Sequence, residues 1–289
     1  MSIVMVTVGP AASGKTTYAH QWCEQNNAIL TDSDSVRKDL YGDASCQRDP
    51  SKVFKVMMDD VLAALGSGKN VCYCATNLNS KRRINFISNV RRHYPDTKFV
   101  CEVCSAPPEI CIAANRNRDR QVPENVIWRH FKQFQCPYYG EGWNDIVVQH
   151  TLPYDIKEYH DKLMEKVMQF GDQHNPHHSR NLAQHCIEAG LVVNREFGNS
   201  NLVTAANIHD IGKIYTQIMD ENGVAHYYQH GEIGSALALA AGYELEIAIL
   251  ICYHMIFFNE GGLKTWRARL GNEIWDKLEK LHFADVAAH

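Results

Sequence analysis

The sequence VMVTVGPAASGKTT, which spans residues 4–17, joins an apolar run to a glycine-rich turn. The β-branched residues predict a buried strand over Ile3–Val8, and the turn leads into a predicted helix from Gly14 to Asn26. The turn fits the pattern G-x-x-x-x-G-K-[ST], in which backbone N–H groups and a helix N-terminus bind phosphate. In such a turn the lysine reaches the β- and γ-phosphates, and the hydroxyl after it contacts Mg²⁺. We therefore expect ATP or another NTP to bind here with Mg²⁺, through Gly9, Ala12, Ser13, Gly14, Lys15, Thr16 and Thr17, with the hydroxyl of Thr16 on the metal.

The composition indicates a protein of about two domains without a membrane span. The chain has 289 residues, of which 45% are hydrophobic and 21% charged, and its formal net charge is -4. Its N-terminus lacks the basic and cleavage regions of a secretory signal, and its ten scattered cysteines are typical of reduced thiols. We therefore expect a cytoplasmic protein. The net charge argues against a protein that coats nucleic acid generally, although it permits a local basic channel.

Strand and helix patterns alternate through the first half, which predicts an α/β domain over residues 1–152 with a parallel sheet covered by helices on both faces. The predicted strands are Ile3–Val8, Ala28–Thr31, Asn70–Ala75, Lys98–Val103 and Asp145–Gln149. The later helices of this half are predicted at Ser35–Tyr41, Ser51–Leu65, Arg82–Tyr94, Pro108–Asn115 and Glu124–Phe134. After a linker at Leu152–Asp155, strand patterns vanish, and an all-α domain is predicted over residues 153–289. Its helices are expected at 155–171, 179–197, 200–209, 230–241, 243–257 and 270–288.

Charged residues follow the predicted strands at the edge where open parallel sheets bind ligands. Asp34 comes just after a strand and precedes Arg37 by three residues. An aspartate there can accept a proton from an attacking hydroxyl, but it can equally cap the helix that follows. A second cluster, Arg116, Arg118 and Arg120, fits either a lid that contacts phosphates during transfer or a solvated charged loop.

Four segments of the first half carry a family resemblance: Gly9–Thr17, Asp34–Arg37, Thr76–Arg83 with the sequence TNLNSKRR, and Arg116–Arg120 followed by Val122 and Pro123. They resemble the kinase domain of the phage polynucleotide kinase family, which phosphorylates 5'-hydroxyl ends of RNA and DNA. The resemblance implies that Asp34 is the general base and that Arg37 binds a phosphate of the acceptor strand. It also implies that Arg120, in a cluster with Arg116, contacts the phosphates of the donor. One position departs, because the family has an aspartate just before TNLN to support the arginine matching Arg37, and this chain has Ala75.

Histidine is concentrated in the second half, where it recurs with aspartate at separated helix positions. The run His209-Asp210-Ile211-Gly212-Lys213 follows an apolar helix, with His185 upstream and with His230, His254 and Asp285 downstream. A lone helical histidine is usually structural, but histidines and aspartates together suit a divalent transition metal. In this order the residues resemble the HD phosphohydrolase superfamily. Asn175–His185 and His209–Lys213 especially resemble the HD regions of tRNA nucleotidyltransferases.

The HD resemblance implies two metal ions, one bound by His185, His209, Asp210 and Asp285 and the other by His230 and His254. Mn, Fe, Co, Ni and Zn are the candidate metals. Two such ions can activate water for attack on a phosphate ester, and Asp210 is then essential to catalysis. Lys213 is expected to contact a substrate phosphate, because a lysine is a point charge suited to it.

Together the two resemblances imply an enzyme that heals the broken ends of RNA or DNA. One half would phosphorylate a 5'-hydroxyl and the other would remove a 2',3'-cyclic or 3'-phosphate, so that a polynucleotide ligase could act next. Fusions of these two domains form a known family, commonly with the HD part first, which is the reverse of this chain. Two alternatives stay open: a small-molecule or nucleoside kinase fused to an HD nucleotidase, and a nucleotide-sensing HD module that regulates a P-loop switch. The acceptor side of the kinase is predicted to carry a basic surface formed by Lys81, Arg82, Arg83, Arg116, Arg118 and Arg120.

Overall fold

The computed structural model describes residues 2–176, 180–258 and 261–288. His177 and His178, which belong to the segment compared with tRNA nucleotidyltransferases, lie outside these ranges, as does Ser179 at the start of a predicted helix. Within the described ranges, no helix is long and apolar enough to cross a membrane. The chain packs as two compact units that are not contiguous in sequence. The first comprises Met1–Ser105, Cys111–Val122 and Pro137–Leu152, and the second comprises Ala106–Ile110, Pro123–Cys136 and Pro153–His289.

Five parallel strands form the sheet of the first unit, as the alternating pattern predicts. They are β1 (Ile3–Val8), β2 (Ala28–Asp32), β3 (Asn70–Cys74), β4 (Lys98–Ser105) and β5 (Asp145–His150), in the order β2-β3-β1-β4-β5. The register aligns Val4 of β1 with Val71 on one side and Phe99 on the other, so β1 is the central strand. Every residue of β1 after Ile3 is buried, which explains the run of apolar and β-branched side chains at consecutive positions.

Six helices accompany these strands in sequence, and polar side chains fix where several of them begin. They are α1 (Lys15–Asn26), α2 (Ser33–Tyr41), α3 (Pro50–Gly66), α4 (Ser80–His93), α5 (Pro108–Arg116) and α6 (Glu124–Lys132). Asp49 caps α3 and Asn79 caps α4, because each side-chain oxygen accepts a hydrogen bond from a backbone N–H of the first turn. By its packing, α6 belongs to the second unit, where it contacts the helix α10 (His230–Ala240).

The second unit is predominantly helical, as predicted. Besides α10 it contains α7 (Ile156–Gln169), α8 (Leu182–Phe197), α9 (Ser200–Ile208), α11 (Leu245–Tyr253), α12 (Leu263–Leu270) and α13 (Asn272–Ala287). Of the residues in α10, all except Glu232 are buried, so this helix is surrounded by the others. Its first residue is His230, and the packing of α10 therefore fixes where that histidine lies.

Three features of this unit differ from the sequence prediction. A hairpin of β6 (Gln217–Met219) and β7 (Ala225–Tyr227) occurs where no strand was expected, because three-residue strands are too short for a periodic pattern. The helix predicted over 243–257 ends at Tyr253 and continues as a 3₁₀ helix, His254–Phe258. The short helix α12 was not predicted, since its apolar positions Leu263, Trp266 and Leu270 have helical spacing over only eight residues, which is too short for a clear periodic pattern.

Candidate functional sites

The phosphate-binding turn lies between β1 and α1 and folds Lys15 back over its own loop. Gly14, with a φ of 82°, precedes α1 in a left-handed conformation that favours glycine. The Lys15 ammonium donates to the carbonyl of Pro10 and to Oγ of Ser13, the latter at 3.4 Å. Burial lowers the pKa of Lys15, so an anion beside it would stabilise the charged form. The turn can therefore present a lysine and helix N-terminal N–H groups to phosphate.

The hydroxyl residues predicted to assist this turn lie in the first turn of α1. Thr16 and Thr17 are exposed there, one and two positions after the lysine. Ala12 adopts a left-handed φ of 62° in the loop, and the N–H of Gly9 donates to the carbonyl of Thr76 at 3.0 Å. The seven residues of this turn that are predicted to bind the nucleotide thus lie in one continuous loop and helix start, which fits a triphosphate with Mg²⁺.

The carboxylate of Asp34 lies between two guanidinium groups in the first unit. Asp34 Oδ1 accepts a hydrogen bond from Nη1 of Arg37 at 3.0 Å, and its Oδ2 pairs with Nη2 of Arg120. Helix capping falls to Asp32, whose Oδ1 accepts from the backbone N–H groups of Asp34 and Ser35. Of the two roles that the sequence leaves open for Asp34, capping therefore belongs to its neighbour.

Arg37 retains hydrogen-bonding capacity although its side chain is largely buried. Its Nη1 also donates to the carbonyl of Ser33 at 3.0 Å, while its Nε has no hydrogen-bond partner among the described residues. A buried donor left unpaired is costly, and a guanidinium pairs best with a carboxylate or phosphate. Ala75, where the resembled kinases have an aspartate, offers no side-chain acceptor. The arrangement is therefore suited to an external anion at Arg37.

The segment Thr76–Asn79 forms a turn that is hydrogen-bonded to the end of β1. Its first carbonyl accepts from the N–H of Gly9, and Nδ2 of Asn77 donates to the carbonyl of Thr7 at 2.8 Å. Asn77 itself has a left-handed φ of 47°, which asparagine tolerates better than most residues. The TNLN run thus lies beside the phosphate-binding turn.

Arg83 does not contribute to an exposed basic surface, so this part of the sequence prediction was wrong. Arg83 is 2% exposed, and its guanidinium forms a bidentate ion pair with Glu141 at 2.6 and 2.7 Å. Nη1 of Arg83 donates to the carbonyl of Asn77 at 2.9 Å, and Nε1 of Trp143 donates to Glu141 at 2.9 Å. The ion pair therefore supports the TNLN turn through the hydrogen bond from Arg83 to the carbonyl of Asn77. Sequence reasoning missed Glu141, whose only local signal is an acidic residue between two glycines.

The other cations predicted for the acceptor side have access to solvent. Lys81, Arg82 and Arg116 are exposed, and Arg118 and Arg120 are half-buried. Arg118 lies close enough to Lys15 that its charge adds to burial in lowering the pKa of that lysine. A basic surface without Arg83 therefore remains in the first unit.

Six side chains from separate elements converge in the second unit. They are His185 on α8, His209 directly after α9, Asp210 before the 3₁₀ helix Ile211–Tyr215, His230 at the start of α10, His254 after α11, and Asp285 in α13. All six are buried. Buried charges need partners, so such a set must be neutralised by protons or by cations.

Asp210 lies between two pairs of histidines and faces one pair with each carboxylate oxygen. Its Oδ2 is 3.4 Å from Nε2 of both His185 and His209. Its Oδ1 is 3.2 Å from Nε2 of His230 and 3.7 Å from Nε2 of His254. Two potential metal-ligand sets result, and Asp210 belongs to both.

The ring nitrogens of these histidines are oriented as metal ligands would be. In His209, His230 and His254, Nδ1 lies 2.7–2.8 Å from the backbone carbonyl three residues earlier, which places the proton on Nδ1. Nε2 of His230 is then 3.0 Å from Nε2 of His254, and the corresponding distance between His185 and His209 is 3.2 Å. Lone pairs that face each other this closely repel unless a proton or a cation lies between them. The donor set therefore fits divalent metal ions.

Two carboxylates make the surroundings of His209 strongly negative. Oδ1 of Asp285 is 3.0 Å from Nε2 of His185 and 3.3 Å from Nε2 of His209. Burial opposes a charged His209, yet the carboxylates of Asp210 and Asp285 raise its pKa well above the ordinary value. The same negative field favours a metal cation, and imidazole with carboxylate ligands suits a transition metal.

Lys213, predicted to contact a substrate phosphate, is held inside the cluster by two oxygen acceptors. Its Nζ is 2.7 Å from Oδ2 of Asp210 and 2.8 Å from Oε1 of Gln173, and the side chain is buried. Gln173 is itself fully buried, and its carbonyl accepts from the hydroxyl of Tyr227 at 2.5 Å. The lysine thus orients Asp210. Sequence reasoning missed Gln173, although it stands in the histidine-rich segment before His185.

Gly212, inside the HD run, allows the start of α10 to approach the 3₁₀ helix closely. A Cβ at this position would lie 1.9 Å from the carbonyl of His230 and 2.8 Å from the N–H nitrogen of Gly234. Both atoms are backbone, so any larger residue would displace α10. The glycine therefore permits the distance between Asp210 and His230 that a shared site needs.

Two family models match separate parts of the chain. Residues 4–137 match the model described as AAA domain, and residues 177–286 match the model described as HD domain. No curated protein matches the sequence. The first match contains the phosphate-binding turn and Asp34, and the second contains all six of the converging side chains.

Several solved structures are similar to parts of this chain. A putative kinase from Chloroflexus aurantiacus is 15% identical with a TM-score of 0.44, over 58% of this chain and 95% of its own. A gluconokinase from Sinorhizobium meliloti is also 15% identical, with a TM-score of 0.35 over 50% of this chain and 80% of its own. A chain of the Pnkp1/Rnl/Hen1 RNA repair complex is 22% identical, with a TM-score of 0.39 over 46% of this chain and 44% of its own.

Proposed function

We propose that this chain, which joins a P-loop kinase domain to an HD domain, is a bifunctional enzyme that heals broken ends of RNA or DNA. The first domain transfers the γ-phosphate of an NTP to a 5'-hydroxyl end, and the second removes a 2',3'-cyclic or 3'-phosphate. The observation that carries the proposal is the presence, in one chain, of one residue set for phosphate transfer and another for phosphate removal. A broken strand needs both corrections before a polynucleotide ligase can seal it. We expect the enzyme to act in the cytoplasm.

In the transfer reaction, the residues around the phosphate-binding turn bind the donor, and Asp34 acts on the acceptor. Lys15 and the N–H groups of its loop hold the donor phosphates, and Thr16 would hold a Mg²⁺ ion that supplies positive charge against them. Asp34 accepts the proton of the 5'-hydroxyl. The hydroxyl oxygen bonds to the γ-phosphorus, and the bond between that phosphorus and the NDP breaks. Arg37 binds a phosphate of the acceptor strand. Arg120 leaves Asp34 to contact the donor phosphates.

In the hydrolytic reaction, the six converging side chains form the site. His185, His209, Asp210 and Asp285 would hold one divalent ion, and His230 and His254 would hold a second that shares Asp210. When bound, such ions supply Lewis-acid chemistry for the attack of water on a phosphate ester. Lys213 keeps the Asp210 carboxylate oriented through its hydrogen bond. The attacking water loses a proton as its oxygen bonds to phosphorus, the bond to the ribose oxygen breaks, and that oxygen takes up a proton to leave as a hydroxyl.

The test is an end-chemistry experiment with oligonucleotides that carry a 5'-hydroxyl or a 3'-phosphate. We expect 5'-phosphate to form only with ATP and Mg²⁺, and 3'-phosphate to be released without ATP when Mn, Fe, Co, Ni or Zn is supplied. Free nucleosides and mononucleotides serve as competing substrates. Phosphorylation of nucleosides in preference to oligonucleotides would favour the small-molecule kinase instead. No phosphate release with any of the metals would favour the alternative in which the HD part senses a nucleotide and regulates a P-loop switch.

A further inference from the structure

The short helix α12 carries a concentration of positive charge and contributes none of the six converging side chains. Its eight residues include Lys264, Arg267 and Arg269 and no acidic residue. Lys264 and Arg267 are exposed, and Arg269 is half-buried. Because the whole chain has a net charge of -4, this helix is a local departure from the overall balance.

Within the part of the chain that the structure describes, the cations of α12 have no acidic partner, in contrast to those of the next helix. On α13, Lys277 pairs with Glu246 at 2.6 Å and Lys280 pairs with Asp276 at 2.6 Å. Among the residues that the structure describes, no carboxylate forms an ion pair with Lys264, Arg267 or Arg269, and Arg267 donates instead to Oδ1 of Asn272 at 3.4 Å. Cations that fold against no carboxylate are available to an external anion.

An aromatic contact joins α12 to the helix α11, which ends just before His254. The ring of Trp266 packs on that of Tyr253 with centroids 5.2 Å apart, and the guanidinium of Arg269 lies 5.7 Å from the Trp266 centroid. Tyr253 immediately precedes His254, whose Nε2 is 3.0 Å from that of His230. The basic helix is therefore tied to the element that supplies one of the converging histidines.

Apolar side chains are exposed between His254 and α12. On the 3₁₀ helix His254–Phe258, Phe258 is 46% exposed and Met255 is 36% exposed. Phe258 also packs edge-on against His282, with ring centroids 4.7 Å apart, so the exposed ring has a fixed place. Proteins bind single-stranded nucleic acids by stacking bases on exposed aromatic rings and pairing phosphates with cations, and these two helices supply both kinds of group.

We infer that α12 and this 3₁₀ helix bind the backbone of the single strand whose 3' end is processed at the HD cluster. Lys264 and Arg267 contact phosphates upstream of that end, and Phe258 stacks on a base. This inference rests on the proposed function and adds to it the surface that binds the strand upstream of the end being processed. It also explains why positive charge lies on a helix that supplies no metal ligand.

The test compares the variant Lys264→Gln/Arg267→Gln with a matched control, Lys157→Gln/Lys162→Gln. The control removes the same charge from the exposed face of α7, and glutamine is compatible with both helices. We expect the α12 variant to raise the KM for a 3'-phosphorylated oligonucleotide about tenfold, with kcat and the turnover of a nucleoside 3'-phosphate unchanged. The slope of log affinity against log salt should fall by about 1.4, since each single-strand phosphate contact contributes about 0.7.

Fluorescence anisotropy with a labelled single-stranded oligonucleotide tests binding independently of hydrolysis. An α12 variant with the affinity and salt slope of the control would overturn the inference. Phe258→Ala should weaken binding without changing the salt slope, because it removes stacking and no charge; unchanged affinity in this variant would remove the stacking part. If the wild-type enzyme hydrolyses neither substrate, the proposed function fails, while the anisotropy comparison still decides the role of α12.

Discussion

At the residue scale, two aspartates separated by one residue have different contacts and different expected roles. Asp32 caps α2, whereas Asp34 faces Arg37 and Arg120. We expect Asp34→Asn to slow phosphate transfer by about 10²-fold or more, the usual contribution of a general base. Asp32→Asn is the control and should transfer phosphate at a nearly normal rate, since asparagine caps helices as well as aspartate. Single-turnover transfer to a 5'-hydroxyl oligonucleotide measures both, and equal rates for the two variants would exclude Asp34 as the base.

Asp210 is the residue on which both potential metal-ligand sets depend. We expect Asp210→Ala to abolish release of 3'-phosphate and to lower bound metal, because one carboxylate is lost from both sets. Phosphate transfer at the P-loop should persist. Asp276→Ala, on the exposed face of α13, is the control. Metal content and phosphate release measured on the same preparations check this, and full metal occupancy in Asp210→Ala would contradict it. The mutation is a cleaner test than a chelator, which would also remove the Mg²⁺ of the kinase.

Glu102 is a buried acid in the sheet of the first unit that neither reaction uses. Burial raises its pKa, and Oε2 has no hydrogen-bond partner among the described residues. A glutamate in an unfolded chain ionises near pH ~4.3. Above that pH the folded state therefore binds more protons than the unfolded state, and this residue lowers stability as pH rises through its folded pKa. We expect Glu102→Gln to raise the melting temperature at neutral and mildly alkaline pH.

The effect of Glu102→Gln should shrink when the pH falls below the unfolded value, where glutamate is protonated in both states. Melting curves at several pH values measure this, with the exposed Glu24→Gln as the control. A gain that does not depend on pH would mean that packing, rather than ionisation, is responsible.

At the scale of elements, the TNLN turn depends on a buried ion pair formed with a distant segment. Arg83 donates a hydrogen bond to the carbonyl of Asn77 and forms an ion pair with Glu141. We expect Arg83→Lys to slow phosphate transfer and raise the KM for the acceptor, because lysine keeps the charge but cannot form the bidentate pair. Release of 3'-phosphate should be unchanged. Arg82→Lys, at the exposed neighbouring position, should behave like wild type, and equal kinetics for the two variants would show that the pair does not position the turn.

Removing either charge of this pair should also cost stability. Breaking a buried ion pair leaves one uncompensated charge and typically costs about 3–5 kcal/mol. This is why Arg83→Lys is the better kinetic test and Glu141→Ala the better stability test.

Elements set by local signals could be predicted from the sequence, and those set by distant contacts could not. The turn around Lys15 has its strand, glycines and helix within one short segment, so its pattern is complete locally. Glu141 lies 58 residues from Arg83 and Gln173 lies 40 residues from Lys213, and no local pattern indicates such pairs. Likewise, β6 and β7 are each three residues long, and they form strands only because they pair with each other. The converging histidines could be named, but their shared carboxylate geometry required the packing of five helices.

For the whole molecule, the two reactions should be separable by mutation. We expect Lys15→Ala to abolish phosphate transfer and leave 3'-phosphate release largely intact, because the lysine belongs to the first unit and all six converging side chains to the second. Parallel assays of both activities on one preparation measure this. Loss of both activities in a folded Lys15→Ala protein would show that the sites depend on each other.

The path of the chain has a consequence for how this protein can be divided. The helix α6 lies in sequence before β5 but packs in the second unit against α10, with Ile127 and Phe131 buried. A fragment that ends at Leu152 would keep this helix and lose its partner, so it would expose apolar side chains and tend to aggregate. Proteolysis of the linker alone would leave the packing of α6 against α10 in place. A gene split at that point would therefore place α6 and α10 on different polypeptides, and we expect the first of them to stay soluble only when both are produced together.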